Sequence, residues 1–355
     1  MNRVTPHKPA LLFLAGVTVL VAVMLAMLSA GGFAPLGVLG ALWSGSLGSW
    51  YSITSATLVR SIPLMLTGGA VAVAFRAGVF NIGAEGQLLA GASAATAVAL
   101  ALPHGGMATT VLALLAGAAG GSLWAGIAAL LRARFGVLEV ISTIMLNFVA
   151  LHLVSFLVRG PLQEPAHIYP QTASIADAVH LPRLPGAGRL HAGIILALLV
   201  LAFGGWGLRR TASGFRLLVA GESRAAAASA GMMDVERTIW GAFLWSGALA
   251  GLAGAVEVLG VTFALYENIS PGYGYTAIAV ALLAGLDPWR VLLSAVLFGA
   301  LEAGAGAMQR DAGVPAALVS AIEALLILGV LGIRAVRWRD RGGAATPEEM
   351  REVAT

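Results

Sequence analysis

The sequence predicts an all-α, polytopic membrane protein of about ten transmembrane helices with N and C termini cytoplasmic, and three observations carry that expectation. Of the 355 residues, 59% are hydrophobic and only 11% charged, with a mean hydropathy of +0.89; water cannot be the main solvent of such a chain. Apolar runs long enough to cross roughly 30 Å of hydrocarbon recur from one end to the other. Arginines gather in alternate intervals between those runs, as the positive-inside rule requires.

The runs place spans near residues 10–30, 58–75, 80–102, 107–131, 137–158, 191–208, 239–263, 275–286, 291–308 and 315–333. The first resembles a signal sequence but is long and lacks a convincing small-residue cleavage site, so it reads as an uncleaved span. Arg3, Lys8, Arg76, Arg132, Arg134, the arginines of 209–237, Arg290 and those of 334–341 then fall on one side, the cytoplasm. Opposite them lie the stretch 31–55, which has no Lys or Arg, the turn at Pro103-His-Gly-Gly106, the loop 159–190, and 309–315. Arg159, Arg183 and Arg189 make the long loop the exception to the rule. Its prolines, Pro161, Pro165, Pro170, Pro182 and Pro185, predict a rigid, irregular external cap instead of another helix.

The expected organisation is a single transmembrane permease domain over 1–340 and a polar cytoplasmic tail over 341–355. Within the domain, 209–237 is the largest cytoplasmic segment. Its Ala-rich middle suits a short helix capped by Glu222 and Ser223 and ended by Gly231, too small to make a core and expected to need a partner surface outside the chain. Gly117-Ala-Ala-Gly-Gly121 and Gly247-Ala-Leu-Ala-Gly251 have the small-xxx-small spacing that lets helices approach in lipid, and read as packing.

Several chemistries are excluded. The chain has no Cys, hence no disulfide, Cys-ligated metal or thiol nucleophile. Its one Lys, Lys8, stands in Pro6-His-Lys-Pro9, so there is no Gly-Lys-Ser/Thr phosphate loop and any ATPase must be a separate chain. No cofactor or metal is expected on this chain; ATP and Mg belong to the partner.

The densest polar cluster at membrane depth is Phe75-Arg-Ala-Gly-Val-Phe-Asn-Ile-Gly-Ala-Glu-Gly-Gln-Leu-Leu-Ala-Gly91. A break in helix geometry there exposes backbone groups that must be satisfied by protein or line a cavity, and Asn81, Glu85 and Gln87 suit either. A local Arg76–Glu85 pair is the plainer reading. In the C-terminal half, Tyr266-Glu-Asn-Ile-Ser-Pro-Gly-Tyr-Gly-Tyr275 is a second Gly/Pro interruption, where Tyr266 and Asn268 would suit a base or sugar ring and its hydroxyls, or simply form an interfacial aromatic belt. Asn147 lies mid-span. Of the membrane carboxylates, Glu139 and Glu267 lie near helix ends, while Glu257, Glu302 and Glu323 lie deep. Those three would be solvated in an aqueous path or pair across helices or, in the rival reading, form a proton relay in a self-sufficient secondary transporter. An intramembrane enzyme has no supporting motif.

Phe80-Asn-Ile-Gly-Ala-Glu-Gly-Gln87 resembles the signature of permease subunits of simple-sugar and nucleoside ABC importers, in the branched-chain amino acid and ribose permease superfamily. Thr211-x-x-Gly214-Phe-Arg216, Ala225-Ala-Ala-Ala-Ser-Ala-Gly231, Ser246-Gly-Ala-Leu-Ala-Gly-Leu-Ala-Gly254, Gly285-Leu-Asp-Pro-Trp289 and Met308-Gln-x-x-Ala-Gly-Val-Pro315 extend it over nearly the whole chain. The resemblance implies a ten-helix permease of the bacterial inner membrane. It would work with a second, similar permease subunit, ABC ATPase subunits and an extracytoplasmic substrate-binding lipoprotein, and it touches no nucleic acid. On that basis Asn81, Glu85, Gln87, Asn147, Glu257, Tyr266 and Asn268 are the candidate substrate pathway, for a nucleoside first and a simple sugar second. Gly214, Arg216, Glu222, Ala226, Ala227 and Gly231 are the candidate ATPase-coupling residues. The coupling motif of many importers has Glu where this chain has Ala225, so that contact is assigned by location.

Overall fold

The computed structural model describes residues 8–229 and 234–341. These are helical nearly throughout, with no strand among them and two isolated bridges, Gln171 with Tyr266 and Arg183 with His191. In chain order the helices are α1 (Lys8–Ala30), α2 (Pro35–Ser46), α3 (Trp50–Arg76), α4 (Ala84–Ala101), α5 (Gly106–Phe135), α6 (Glu139–Arg159), α7 (Gly193–Arg210), α8 (Ala212–Glu222), α9 (Arg224–Ser229), α10 (Val235–Thr262), α11 (Tyr273–Ala284), α12 (Pro288–Ala312) and α13 (Ala316–Arg341). α3 begins and α10 ends in a π-helical turn, Ile53–Thr57 and Val258–Thr262.

Among the described residues, six helices are long and apolar enough to cross a membrane: α3, α5, α6, α7, α10 and α12. The count becomes seven if α1 from Thr18 and α2, bent by 113° at their junction, form one broken span. The stretch 31–55, expected as an external connection, instead holds α2 and the start of α3. α4 falls short of a span by composition, because Ala, Gly, Ser and Thr dilute it and Glu85 and Gln87 open it.

The described residues pack as two units, one drawn from 8–46 and 301–341, the other from 47–229 and 234–300. In the smaller, Met24, Leu28 and Val38 meet Met308, Val319 and Ile322 in one apolar cluster. In the larger, α3 and α10 are mostly buried, whereas α5, α6 and α7 leave most of their apolar surface outward, as lipid-facing helices do. Lipid supplies no hydrophobic drive between helices, so close contact depends on small residues. The two expected small-xxx-small pairs do face each other. A Cβ on Gly121 would lie 2.2 Å from the Gly247 carbonyl oxygen, and one on Gly91 of α4 would lie 2.3 Å from the Gly251 Cα.

The larger unit has two poles. At the basic pole Arg132 of α5 pairs with Glu139 of α6 and Glu236 of α10, and Arg209 of α7 with Asp287 before α12. At the other pole the proline-rich 160–192 segment forms a strap, as its composition predicts. Its backbone amides at Thr172, Ile175 and Leu181 donate to the carbonyls of Leu265, Phe263 and Leu259. Its tip holds the start of α3, the Trp50 indole donating to Gly186 O and the Arg189 amide to Ser55 Oγ.

Candidate functional site

Between α3 and α4 the chain leaves helical geometry over 77–83, with Gly78 at φ +68°. Asn81, fully buried, uses its whole hydrogen-bonding capacity within the protein. Nδ2 donates to Gln87 Oε1 (3.0 Å) and Ser246 Oγ (2.9 Å), and Oδ1 accepts from the Gly83 amide (2.9 Å) and Gln87 Nε2 (3.0 Å). Asn147 of α6 supplies the next tie, donating to Ile82 O (3.0 Å) and accepting from the Gly86 amide (2.8 Å), while Thr143 Oγ1 accepts from Ile82 N (3.3 Å). The amides of Ile82, Gly83 and Gly86 around the start of α4, where a helix leaves donors orphaned, are thus satisfied by side chains of the break itself and of α6. At 1.5 Å per residue Asn147 and Ser246 stand roughly 12 and 16 Å up their helices from the basic pole, near mid-membrane depth.

At that depth two half-helices meet end to end. Glu85, in the first turn of α4, accepts from the Gly274 amide in the first turn of α11 (2.7 Å) and from the Ser270 hydroxyl. A Cβ on Gly274 would lie 2.1 Å from Glu85 N, so the two backbones touch. Ser270 Oγ also accepts from the amides of Gly272 and Tyr273 (3.1 Å each). The carboxylate therefore lies where two helix N-termini bring positive partial charge together. The local Arg76–Glu85 pair that the sequence allowed does not form, because Glu85 is turned away to α11.

The second interruption, 263–272, differs. Its main chain is pinned to the strap at Leu265, whose amide donates to Thr172 Oγ1 (3.1 Å), but the side chains of Tyr266 and Asn268 are exposed. Glu267 accepts from Arg159 Nε (2.6 Å) and Nη2 (2.9 Å) and from the Ser155 hydroxyl. Arg159, then Ser155, hold its carboxyl at about 2. This partner explains why Arg159 breaks the positive-inside pattern. Nearby, Glu257 is 5% exposed and has no hydrogen-bond or ion-pair partner among the described residues; Arg60 and Arg189 are the cations whose field reaches it.

On the basic pole, α8 starts where Thr211 Oγ1 accepts from the Gly214 amide (3.1 Å), and Gly214 packs on α7, its would-be Cβ 2.3 Å from Gly207 O. Arg216 and Glu222 are exposed, and so is Phe215 between the motif residues, an aromatic that the sequence reading passed over although Gly214-Phe-Arg216 contained it. Ala227 is 1% exposed, buried by this chain itself. The expectation that 209–237 lacks a partner within the chain is thereby corrected. The Ala226 side chain and Gly231 lie outside the described residues. The sequence carries no signal that singles out Arg60, in Val59-Arg60-Ser61, or that distinguishes Arg224 from the other arginines of 209–237.

A family model described as branched-chain amino acid transport system / permease component matches residues 53–331. A guanosine ABC transporter permease protein of Bacillus subtilis is 40% identical over 302 residues, covering 84% of this chain and 86% of that protein. A glucose ABC transporter permease protein of Haloferax volcanii is 38% identical over 322 residues, covering 86% and 84%. A nucleoside ABC transporter permease protein of Lactococcus lactis is 32% identical over 306 residues, with 83% of each covered.

Proposed function

Because the chain belongs to the branched-chain amino acid transport permease family, we propose that it is the membrane-spanning subunit of an ATP-driven importer, forming the path for a nucleoside or simple sugar. The observation that carries this reading is the match over most of the chain to permeases named for guanosine and for glucose, at 40% and 38% identity. Both substrates are polyhydroxylated, and the exposed Tyr266 and Asn268 offer a ring face and an amide to such a molecule, with the buried Glu257 in electrostatic reach of Tyr266. Glu85, Asn81, Gln87 and Asn147 belong to the same path as the node that fixes its walls.

In this reading the helices α4, α11 and α13 and the α1–α2 pair complete about ten spans, with both termini cytoplasmic in a bacterial inner membrane. The basic pole faces the cytoplasm, where ABC ATPase subunits carrying ATP and Mg dock on Phe215, Arg216 and Glu222 beside Gly214, Ala226, Ala227 and Gly231. A second, similar permease and an extracytoplasmic binding lipoprotein complete the complex. No observation favours the proton-coupled alternative.

The test is reconstitution with the neighbouring ATPase, permease and binding protein in liposomes, followed by uptake of labelled guanosine, adenosine, ribose and glucose. ATP-dependent accumulation of one of them is expected. Accumulation driven by a proton gradient without ATP would overturn the reading.

A further inference from the structure

The basic pole contains a second arrangement, which links the docking segment to the interrupted helix. Gly221, near the end of α8, lies against the main chain at the end of α3. A Cβ there would fall 1.9 Å from the Arg76 carbonyl oxygen and 3.1 Å from the Gly78 nitrogen. Three residues on, Arg224 Nη2 donates to the Gly78 carbonyl (2.6 Å) and stands 3.5 Å from Glu139 Oε1. Glu139 is also 3.4 Å from Arg132 Nε, and Arg132 Nη1 is 3.1 Å from Glu236 Oε2 in the first turn of α10. Both ends of the segment from Arg224 to Glu236 are therefore tied to the α5–α6 turn, and its beginning is seated on the break at Gly78.

We infer that Gly221 and Arg224 are positioning residues for energy coupling, which transmit displacement of α8 and α9 into 77–83 and so to the Asn81–Gln87 node. The inference rests on the proposed ATP-driven function and adds the route by which it acts. The two contacts oppose displacement in opposite directions. Backbone against backbone at Gly221 and Arg76 resists approach, and the guanidinium-to-carbonyl hydrogen bond from Arg224 to Gly78 resists withdrawal. The break therefore follows α8 whether it is pushed or pulled. Gly78, at φ +68°, stands three residues before Asn81, whose four hydrogen bonds and those of Asn147 join the break to α6 and α10. A short stiff connection thus runs from an exposed surface to mid-membrane depth. Glu139 holds Arg224 in place from the side, and it is balanced by Arg132 so that the carboxylate is not left with one partner.

The experiment uses the reconstituted complex and the variants Arg224→Ala, Arg224→Lys and Gly221→Ala. Basal ATP hydrolysis, substrate-stimulated hydrolysis, uptake and co-purification of the ATPase are all measured. Arg224→Ala should co-purify with the ATPase and keep basal hydrolysis, while uptake per ATP falls about tenfold. Arg224→Lys should restore much of that loss, because an ammonium can still donate to the carbonyl. Gly221→Ala should uncouple in the same way, by wedging α8 off the break. Wild-type uptake per ATP in Arg224→Ala overturns the inference. Failure of the wild-type complex to bind an ATPase or to need ATP would instead overturn the proposed function.

Should Arg224→Ala fail to assemble, a distance measurement decides. The chain has no Cys, so spin labels at Phe80→Cys and Ser223→Cys report one separation in the otherwise native complex. An unchanged distance between ATP-bound and nucleotide-free states supports a rigid connection; a nucleotide-dependent distance overturns it.

Discussion

The two interrupted helices carry the same signal in sequence, glycines and polar residues between apolar runs, yet they end in opposite physical states. Around 77–83 Asn81, Gln87 and Asn147 are buried, Asn81 bonded to Gln87, Ser246 and the Gly83 amide, and Asn147 to Ile82 O and the Gly86 amide. At 263–272 the main chain is pinned to the strap, but Tyr266 and Asn268 keep their side chains outward. Polar groups at membrane depth either satisfy each other or face water. The first break does the former and acts as a joint; the second does the latter and forms a lip. Glu85 connects them, since it opens α4 and caps α11.

The largest effect that could break this contrast is at Asn81. Asn81→Ala removes four hydrogen bonds, which at roughly 0.6–1 kcal/mol each in membrane proteins amounts to about 2–4 kcal/mol. The thermal midpoint of the detergent-extracted protein and its yield should both fall, and uptake should fall with them. A variant with normal yield and midpoint that has lost only uptake would make Asn81 a substrate contact and erase the difference between the two regions. Tyr266→Ala and Asn268→Ala should behave oppositely, leaving the midpoint unchanged while uptake drops about tenfold, the worth of one or two hydrogen bonds. Should either collapse the fold, the lip is structural too.

Part of this was legible in the sequence. Apolar length gave the all-helical class and the six long apolar helices among the described residues, the prolines gave the irregular strap, and the glycine pairs gave the α5–α10 contact, because each depends on local composition. What the octapeptide 80–87 could not disclose was its satisfaction. Ser246, Asn147, Ser270 and Gly274 are remote in the chain, and nothing near Asn81 or Glu85 indicates that they supply its partners. The segment 209–237 failed for the same reason. Its Ala-rich stretch reads as unpartnered, while Gly78, Glu139 and the backbone of Arg76, which hold it, lie far upstream. Arg159 stands in the sequence as an exception to the positive-inside rule, and its partner Glu267 is 108 residues away.

The smallest effect sharpens the contrast from the side of the lip, at the Arg159–Glu267 pair that ties the end of α6 to the second interruption. Hydrogen bonds from Arg159 and Ser155 lower the Glu267 carboxyl from 4.5 to about 2. A depressed carboxylate contributes stability that is present above its unfolded value and is lost as pH falls through the folded one. The tie is therefore fully formed from pH 5 to 8, and it should add no inflection to uptake or to the melting midpoint in that window. It is also exposed, so salt screens it and much of its attraction is spent in ordering two side chains. Glu267→Gln should accordingly change uptake by less than about twofold at moderate ionic strength, with a difference that shrinks as salt is raised. The joint at Asn81, with no net charge and no access to water, should be indifferent to both variables. A midpoint that shifts between pH 5 and 8 in the unaltered protein and ceases to shift in Glu267→Gln would show the carboxyl titrating in that range, and the lip would then be a pH-sensitive element instead of a fixed rim.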